Sequence, residues 1–209
     1  MMNVDAEIMK YSLSPDKVKQ LTDFVEILAE WNAKMNLVSK NSFADIWSRH
    51  ILDSLQLIDY IPHKAKSIVD IGSGAGFPAV VLAIAAQDKL SEIKISMVES
   101  ITKKTVYLND VIKRLNLKNI NVLNSRVENT VFKSVDVVTA RAVAALDILL
   151  SYQNKIGTDK TIGVYLKGQS YEQEIANAEK NWFFDCEVKQ NKYNEGGVVL
   201  LVSDLRRKK

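Results

Sequence analysis

The feature that most constrains this chain is an apolar run that breaks into three closely spaced glycines: Ile68-Val69-Asp70-Ile71-Gly72-Ser73-Gly74-Ala75-Gly76-Phe77-Pro78. The run reads as a buried strand, and the loop after it opens a helix. Glycine lets a backbone turn tightly and brings peptide groups against a ligand without a Cβ in the way. A strand, a glycine turn and a helix in that order form the first unit of a parallel α/β sheet. Ligands in such sheets sit outside the carboxyl ends of the strands.

The glycine spacing separates classes of ligand. In the dinucleotide fingerprint the last glycine follows the second after two intervening residues, where the helix must pack closely for a pyrophosphate. Here Phe77 stands at that place, so NAD is disfavoured, and no Lys-Ser/Thr pair makes a P-loop. A G-x-G-x-G turn, with Gly72 and Gly74 at its start and Asp70 just before it, suits a ligand with an amino-acid tail whose ammonium the carboxylate can approach. Glu99 ends the next apolar run, about twenty residues on, where an acid accepts both ribose hydroxyls of an adenosyl group. Together these imply S-adenosylmethionine.

The rest of the chain supplies the scaffold for such a site. Residues 1–64 read as a helical extension: Ser14-Pro15 is a helix start, and Val18, Leu21, Val25 and Leu28 recur on one face. Ser42 with Asp45 suggests a second cap, followed by Ile46, Ile51, Leu55 and Ile58 at looser spacing. Residues 65–209 alternate short apolar runs with helical stretches. Strands are expected at Ser67–Ile71, Ile93–Val98, Ile120–Leu123, Val135–Thr139, Thr161–Leu166, Asp185–Gln190 and Val198–Val202. The last two are joined by a turn-rich segment, Asn191 to Gly197, and form an antiparallel hairpin. Five parallel units ending in a hairpin match the Rossmann-like, seven-stranded class I methyltransferase fold, with the two parts expected to form one compact unit. Two further segments reach the same sheet edge, Ser125-Arg126-Val127-Glu128 after the third strand and Thr139-Ala140-Arg141-Ala142 after the fourth.

Composition sets limits rather than identity. The single Cys186 excludes an internal disulfide and a cysteine-based zinc site, and no metal is expected. The first residues carry Asp5 and Glu7 with no apolar core, unlike a secretory leader, and the longest apolar run, Ala79 to Ala86, is far too short for a membrane span. A reducing, cytoplasmic location is expected. A net charge of +3 permits a nucleic-acid partner without demanding one. The basic end, Arg206-Arg207-Lys208-Lys209, reads as a frayed tail, with a phosphate contact as the alternative.

Five motifs occur in a telling order: Arg49-His50-Ile51-Leu52-Asp53-Ser54-Leu55, the glycine loop, Arg126-Val127-Glu128, Thr139-Ala140-Arg141-Ala142 and Leu166-Lys167-Gly168, preceded by Trp31-Asn32-Ala33-Lys34-Met35-Asn36-Leu37. This pattern resembles the bacterial small-subunit ribosomal RNA methyltransferase G family, once called glucose-inhibited division protein B. The resemblance implies methylation of N7 of a guanine (position 527 in reference numbering) in 16S rRNA, on the 30S subunit or its RNA. It also implies that Gly72, Phe77, Val127, Glu128 and Arg141 line the cofactor site. Ala79-Val80-Val81 and Ala140 depart from the family's usual residues.

Chemistry and residues agree on the acceptor. Guanine N7 carries a lone pair and no proton, so the reaction asks for positioning and needs no general base. No Asn-Pro-Pro-Tyr motif for exocyclic amines occurs, and both histidines, His50 and His63, precede the first strand. No catalytic base is expected, and Arg141 is the nearest candidate for a catalytic role. Arg49, His50 and Lys167 are candidates for RNA contact, with Asp53 or Asp45 as competing partners for Arg49. A monomer is expected. Two other readings stand beside this one: a methyltransferase for a small molecule or protein, and a non-catalytic regulator that binds the same cofactor.

Overall fold

The computed structural model describes residues 3–208. Its centre is a seven-stranded sheet of β1 (Ser67–Ile71), β2 (Lys94–Glu99), β3 (Ile120–Asn124), β4 (Val137–Arg141), β5 (Ile162–Lys167), β6 (Trp182–Gln190) and β7 (Val198–Arg207), in the order β3-β2-β1-β4-β5-β7-β6. Five strands are parallel, and β7 enters antiparallel between β5 and β6. The order reverses between β1 and β4, so their carboxyl ends part and leave a crevice there.

The expected strands are all present, with shifted ends. β2, β4 and β5 run on through Glu99, Arg141 and Lys167, because a backbone ladder needs no apolar side chain to continue. The basic end is not a frayed tail: Arg206 and Arg207 pair with Phe183 and Trp182 in the β6–β7 ladder, and Arg207 stacks over the Trp182 ring. Lys209 lies outside the described residues.

Helices cover both sheet faces. On one side, α5 (Ala79–Lys89) is buried along its whole stretch from Ala79 to Ala86, which explains an apolar run with no polar face. With α6 (Thr102–Arg114) it meets Ile68, Ile95 and Met97 of the sheet. On the opposite face α7 (Leu146–Ile156) and α8 (Tyr171–Ala178) cover Val69, Ile71, Val138 and Tyr165. The strands thus alternate sides as the pleat requires.

The N-terminal helices join the first layer. α1 (Val4–Met9) precedes α2 (Pro15–Asn32), whose buried Leu21, Phe24, Ile27 and Leu28 pack into the core around α5. Ser14 stands at the cap position as expected, yet its side chain makes no capping bond; its N–H donates instead to Asp88 at 2.8 Å. The second cap is Ser39, not Ser42: its side chain accepts from the Ser42 N–H and starts α3 (Lys40–Ala44). The loose step from Ile46 to Ile51 corresponds to a π-helical turn, Trp47–Leu52, whose wider coil keeps residues five apart on one side. It runs into α4 (Asp53–Leu55) and a short 3-10 turn, Gln56–Tyr60.

Phe24 is fully buried and its ring lies 5.3 Å from that of Phe77 in the glycine loop. Phe24→Ala should therefore destabilise the chain by about 3–5 kcal/mol, read as a lower midpoint in urea with an unchanged slope.

Candidate active site

The glycine turn is held from below by two carboxylates. Asp70, fully buried at the end of β1, accepts from the Ser73 hydroxyl at 2.5 Å and the Thr139 hydroxyl of β4 at 2.7 Å. Burial raises its pKa to about 7. Both oxygens are thus engaged beneath the turn, and Asp70 braces the loop instead of facing the crevice. Glu99, at the end of β2, accepts from the Gly74 N–H at 3.0 Å and the Ile101 N–H at 2.8 Å. The Gly72 N–H donates to Val98 and the Gly76 N–H to Ser73, so these amides are spent inside the protein. Gly72, Gly74 and Gly76 all have positive φ, 68°, 54° and 94°. The open, Cβ-free part of the turn is Gly74, where a Cβ would meet nothing closer than the Gly72 carbonyl at 3.6 Å.

Above this turn lies a cleft of about 270 Å³ walled by Gly72, Glu99, Val127, Glu128, Val143 and Tyr152. Val127 is buried in a 3-10 turn after β3, while Glu128 is exposed and accepts from the Tyr152 hydroxyl at 3.1 Å. The acids at positions 99 and 128 and the glycine turn, predicted as one site, therefore do line one cavity. Val143 and Tyr152 went unforeseen. An isolated valine among alanines gives no signal in one dimension, yet its methyls would lie 2.6 Å from a Cβ on Gly72.

Val143 also walls a second cleft, of about 620 Å³, at the ends of β4 and β5. Arg141 stands at its edge, 3.2 Å from the buried Asp53 carboxylate, donating to the Arg49 carbonyl at 2.8 Å and lying over the Phe77 ring. Lys167 faces the same cleft, paired with Glu174 at 2.5 Å and donating to the Ala144 carbonyl at 2.8 Å. Asp53 is the partner of Arg141, not of Arg49, and Arg49 is exposed with no ion pair among the described residues.

Phe77 is buried between Phe24 and His50, whose ring centroid lies 4.9 Å away, so it joins the helical extension to the loop instead of opening into the smaller cleft. His50 hydrogen-bonds Ser42. Burial, then the charges of Arg141 and Arg49, hold its pKa at about 3, so it is neutral and unsuited to a phosphate. Lys167 is likewise spent internally. His63 is exposed ahead of β1. Cys186 lies on β6 opposite Val202, its thiol pushed up to about 11 by burial, far from a reactive thiolate. Ala140 and Ala79-Val80-Val81 are buried in the apolar interior. No cluster of three metal-ligating side chains occurs among the described residues, and no helix among them is long and apolar enough to cross a membrane.

Comparison with known proteins places this chain in a family. The family model described as rRNA small subunit methyltransferase G matches residues 17–198. The chain belongs to that family. Among curated relatives, the ribosomal RNA small subunit methyltransferase G of Ruegeria sp. (strain TM1040) is 33% identical over 95% of this chain and 96% of its own length. The protein of the same name from Caulobacter vibrioides (strain NA1000 / CB15N) is 39% identical over 91% of this chain and 87% of its own. The fold is also that of M. jannaschii TYW2 in complex with AdoMet, with a TM-score of 0.56 at 20% identity over 75% of this chain and 76% of that one. The ribosomal protein L11 methylase from Lactobacillus delbrueckii subsp. bulgaricus gives 0.57 at 14% identity over 75% and 78%. In this methyltransferase G chain, the matched span contains every wall of both clefts.

Because the His50 pKa is depressed, the folded chain binds fewer protons than the unfolded one between about 3 and the ordinary 6.5. Its contribution to stability is complete above pH 6.5 and is lost as pH falls toward 3. Subtracting the stability of His50→Gln from that of the unaltered chain should give a difference that is flat above pH 7 and shrinks steadily toward pH 5, measured by urea unfolding.

Proposed function

We propose that the chain is an S-adenosylmethionine-dependent methyltransferase that modifies N7 of a guanine in 16S rRNA, on the small subunit or its RNA. The observation that carries this reading is the family match across residues 17–198, which span both clefts. The residues of the smaller cleft fit the cofactor. Glu99 spends one lone pair of each oxygen on a backbone N–H and keeps another for a ribose hydroxyl. Glu128 and the Val127 backbone are the groups an adenine edge would meet, and the tail has room over the open Gly74 and, once Val143 moves aside, over Gly72.

When bound, the cofactor supplies a methyl group on a sulfonium, an electrophile that needs no further activation. The chain's task is alignment. Val143 stands between the two clefts and would border both a bound donor and the acceptor base. The larger cleft holds its charges as two ion pairs, Arg141 with Asp53 and Lys167 with Glu174. Neither pair leaves a free base, which suits an acceptor atom that already owns its lone pair. Of the three RNA-contact candidates, Arg49 is exposed and, among the described residues, keeps an unpaired charge for a phosphate. The helical extension of residues 1–64 and the core of residues 65–209 act as one unit in this reading. A cytoplasmic monomer is its natural form, and light scattering reads the mass directly.

The test is transfer of labelled methyl to purified small subunits and to free 16S rRNA, followed by mapping of the modified nucleotide. Label at N7 of a single guanine is expected. Tight cofactor binding with no label in RNA would favour the non-catalytic regulator, and label in a protein or metabolite the other methyltransferase reading. Val143→Ala should bind S-adenosylmethionine about two- to fivefold more tightly by calorimetry, since less side chain must leave the Gly72 face.

A further inference from the structure

Asp53 begins α4 where the π-helical turn ends, and it is 2% exposed. A carboxylate so buried persists only with donors around it. One is local, Gln56, and two come from distant parts of the chain, Asn191 and Arg141. Asn191 Nδ2 donates to Oδ1 at 2.6 Å, and Gln56 Nε2 to the same oxygen at 3.2 Å. Arg141 Nη1 lies 3.2 Å from Oδ2, off the hydrogen-bonding line, so this contact is ionic and that nitrogen has no hydrogen-bond partner among the described residues.

Two of these partners, Asn191 and Arg141, in turn set walls of the larger cleft. Asn191 Oδ1 accepts from the backbone N–H groups of Tyr193 at 2.9 Å and Asn194 at 3.0 Å, which shapes the β6–β7 connection. Arg141 carries the other wall, at the end of β4. Arg141, Asn191 and Asn194 all border the cleft together with Asp53. The cofactor cleft shares none of these donors, since Glu99 and the glycine turn lie on the other side of Val143.

We propose that Asp53 is a positioning residue for methyl transfer, holding Arg141 and, through Asn191, the β6–β7 connection as two fixed walls of the acceptor cleft. The bracket itself stands on geometry; that the cleft takes a purine rests on the function proposed above. Both carboxylate oxygens face donors, so an amide at this position cannot satisfy them. Turned one way its NH2 group meets Asn191 Nδ2 and Gln56 Nε2; turned the other it meets Arg141 Nη1. Asp53→Asn therefore keeps the size of the side chain and releases one wall or the other.

Two measurements test this, on Asp53→Asn and, from the half-exposed side of the same contact, on Asn191→Ala. The first is methyl transfer from labelled S-adenosylmethionine to purified small subunits, with S-adenosylhomocysteine affinity measured alongside. In both variants kcat should fall about tenfold or more while the affinity changes by less than about twofold. Asp53→Asn combined with Arg141→Lys should lose no more than about threefold beyond the worse single variant, since the two side chains act together. The second is hydrogen exchange of residues 191–197, which should quicken in both variants. Unchanged kcat and exchange would overturn the proposal. So would a cofactor affinity that falls in step with kcat, which marks general structural damage, or full additivity in the double variant. If the unaltered chain transfers no methyl to small-subunit RNA, the functional reading falls, and the exchange measurement still decides the bracket.

Discussion

Beneath the glycine turn, the buried Asp70 carboxylate takes hydroxyl donors from Ser73 and from Thr139 on the neighbouring strand. That pair of bonds ties the turn to both sides of the point where the sheet order reverses. The crevice opens at that point, so the position of everything in it follows from this brace. Its donors are neutral hydroxyls, and burial places its pKa near neutrality. The loop is thereby fixed without a cation beneath it, next to a site proposed to hold a sulfonium.

From that anchor the crevice divides. Glu99 turns toward the Gly74 amide and bounds the smaller cleft, while Arg141 and Lys167 leave the ends of β4 and β5 toward the larger one. Val143 belongs to both. The helical extension closes the arrangement from outside: Phe24 meets Phe77, His50 covers the same ring, and Asp53 grips Arg141. It is part of the site's scaffold, since the residues that aim Arg141 include the Arg49 carbonyl.

Much of this was legible in one dimension because periodicity and glycine spacing report directly on backbone geometry. The sheet, the crevice edge and the acid at position 99 came from such signals, whereas the role of Glu128 came from the family resemblance. Strand ends were misread wherever a polar side chain ended an apolar run, as at Glu99, Arg141 and Lys167, because ladder bonds belong to the backbone. Side-chain partnerships were less visible. Lys167 looked free for RNA, yet Glu174 returns to it from the first turn of α8. Arg49 and Asp53 sit at helical spacing, but the π-helical turn and the depth of Asp53 give the carboxylate to Arg141 instead. Asp70 was expected to face a ligand's ammonium, and only the pleat, which points it beneath the turn toward Thr139, assigns it to the brace.

In the function proposed above, the Gly72–Gly74 turn and Glu99 cradle the adenosyl donor, with Val143 between donor and acceptor. A crystal structure of the chain with S-adenosylhomocysteine tests it most directly. The expected result is a ribose within hydrogen-bonding distance of both Glu99 oxygens, the tail over Gly72, and the Val143 side chain moved off that glycine. A ligand seated away from Glu99, or bound with Val143 still covering Gly72, would contradict it.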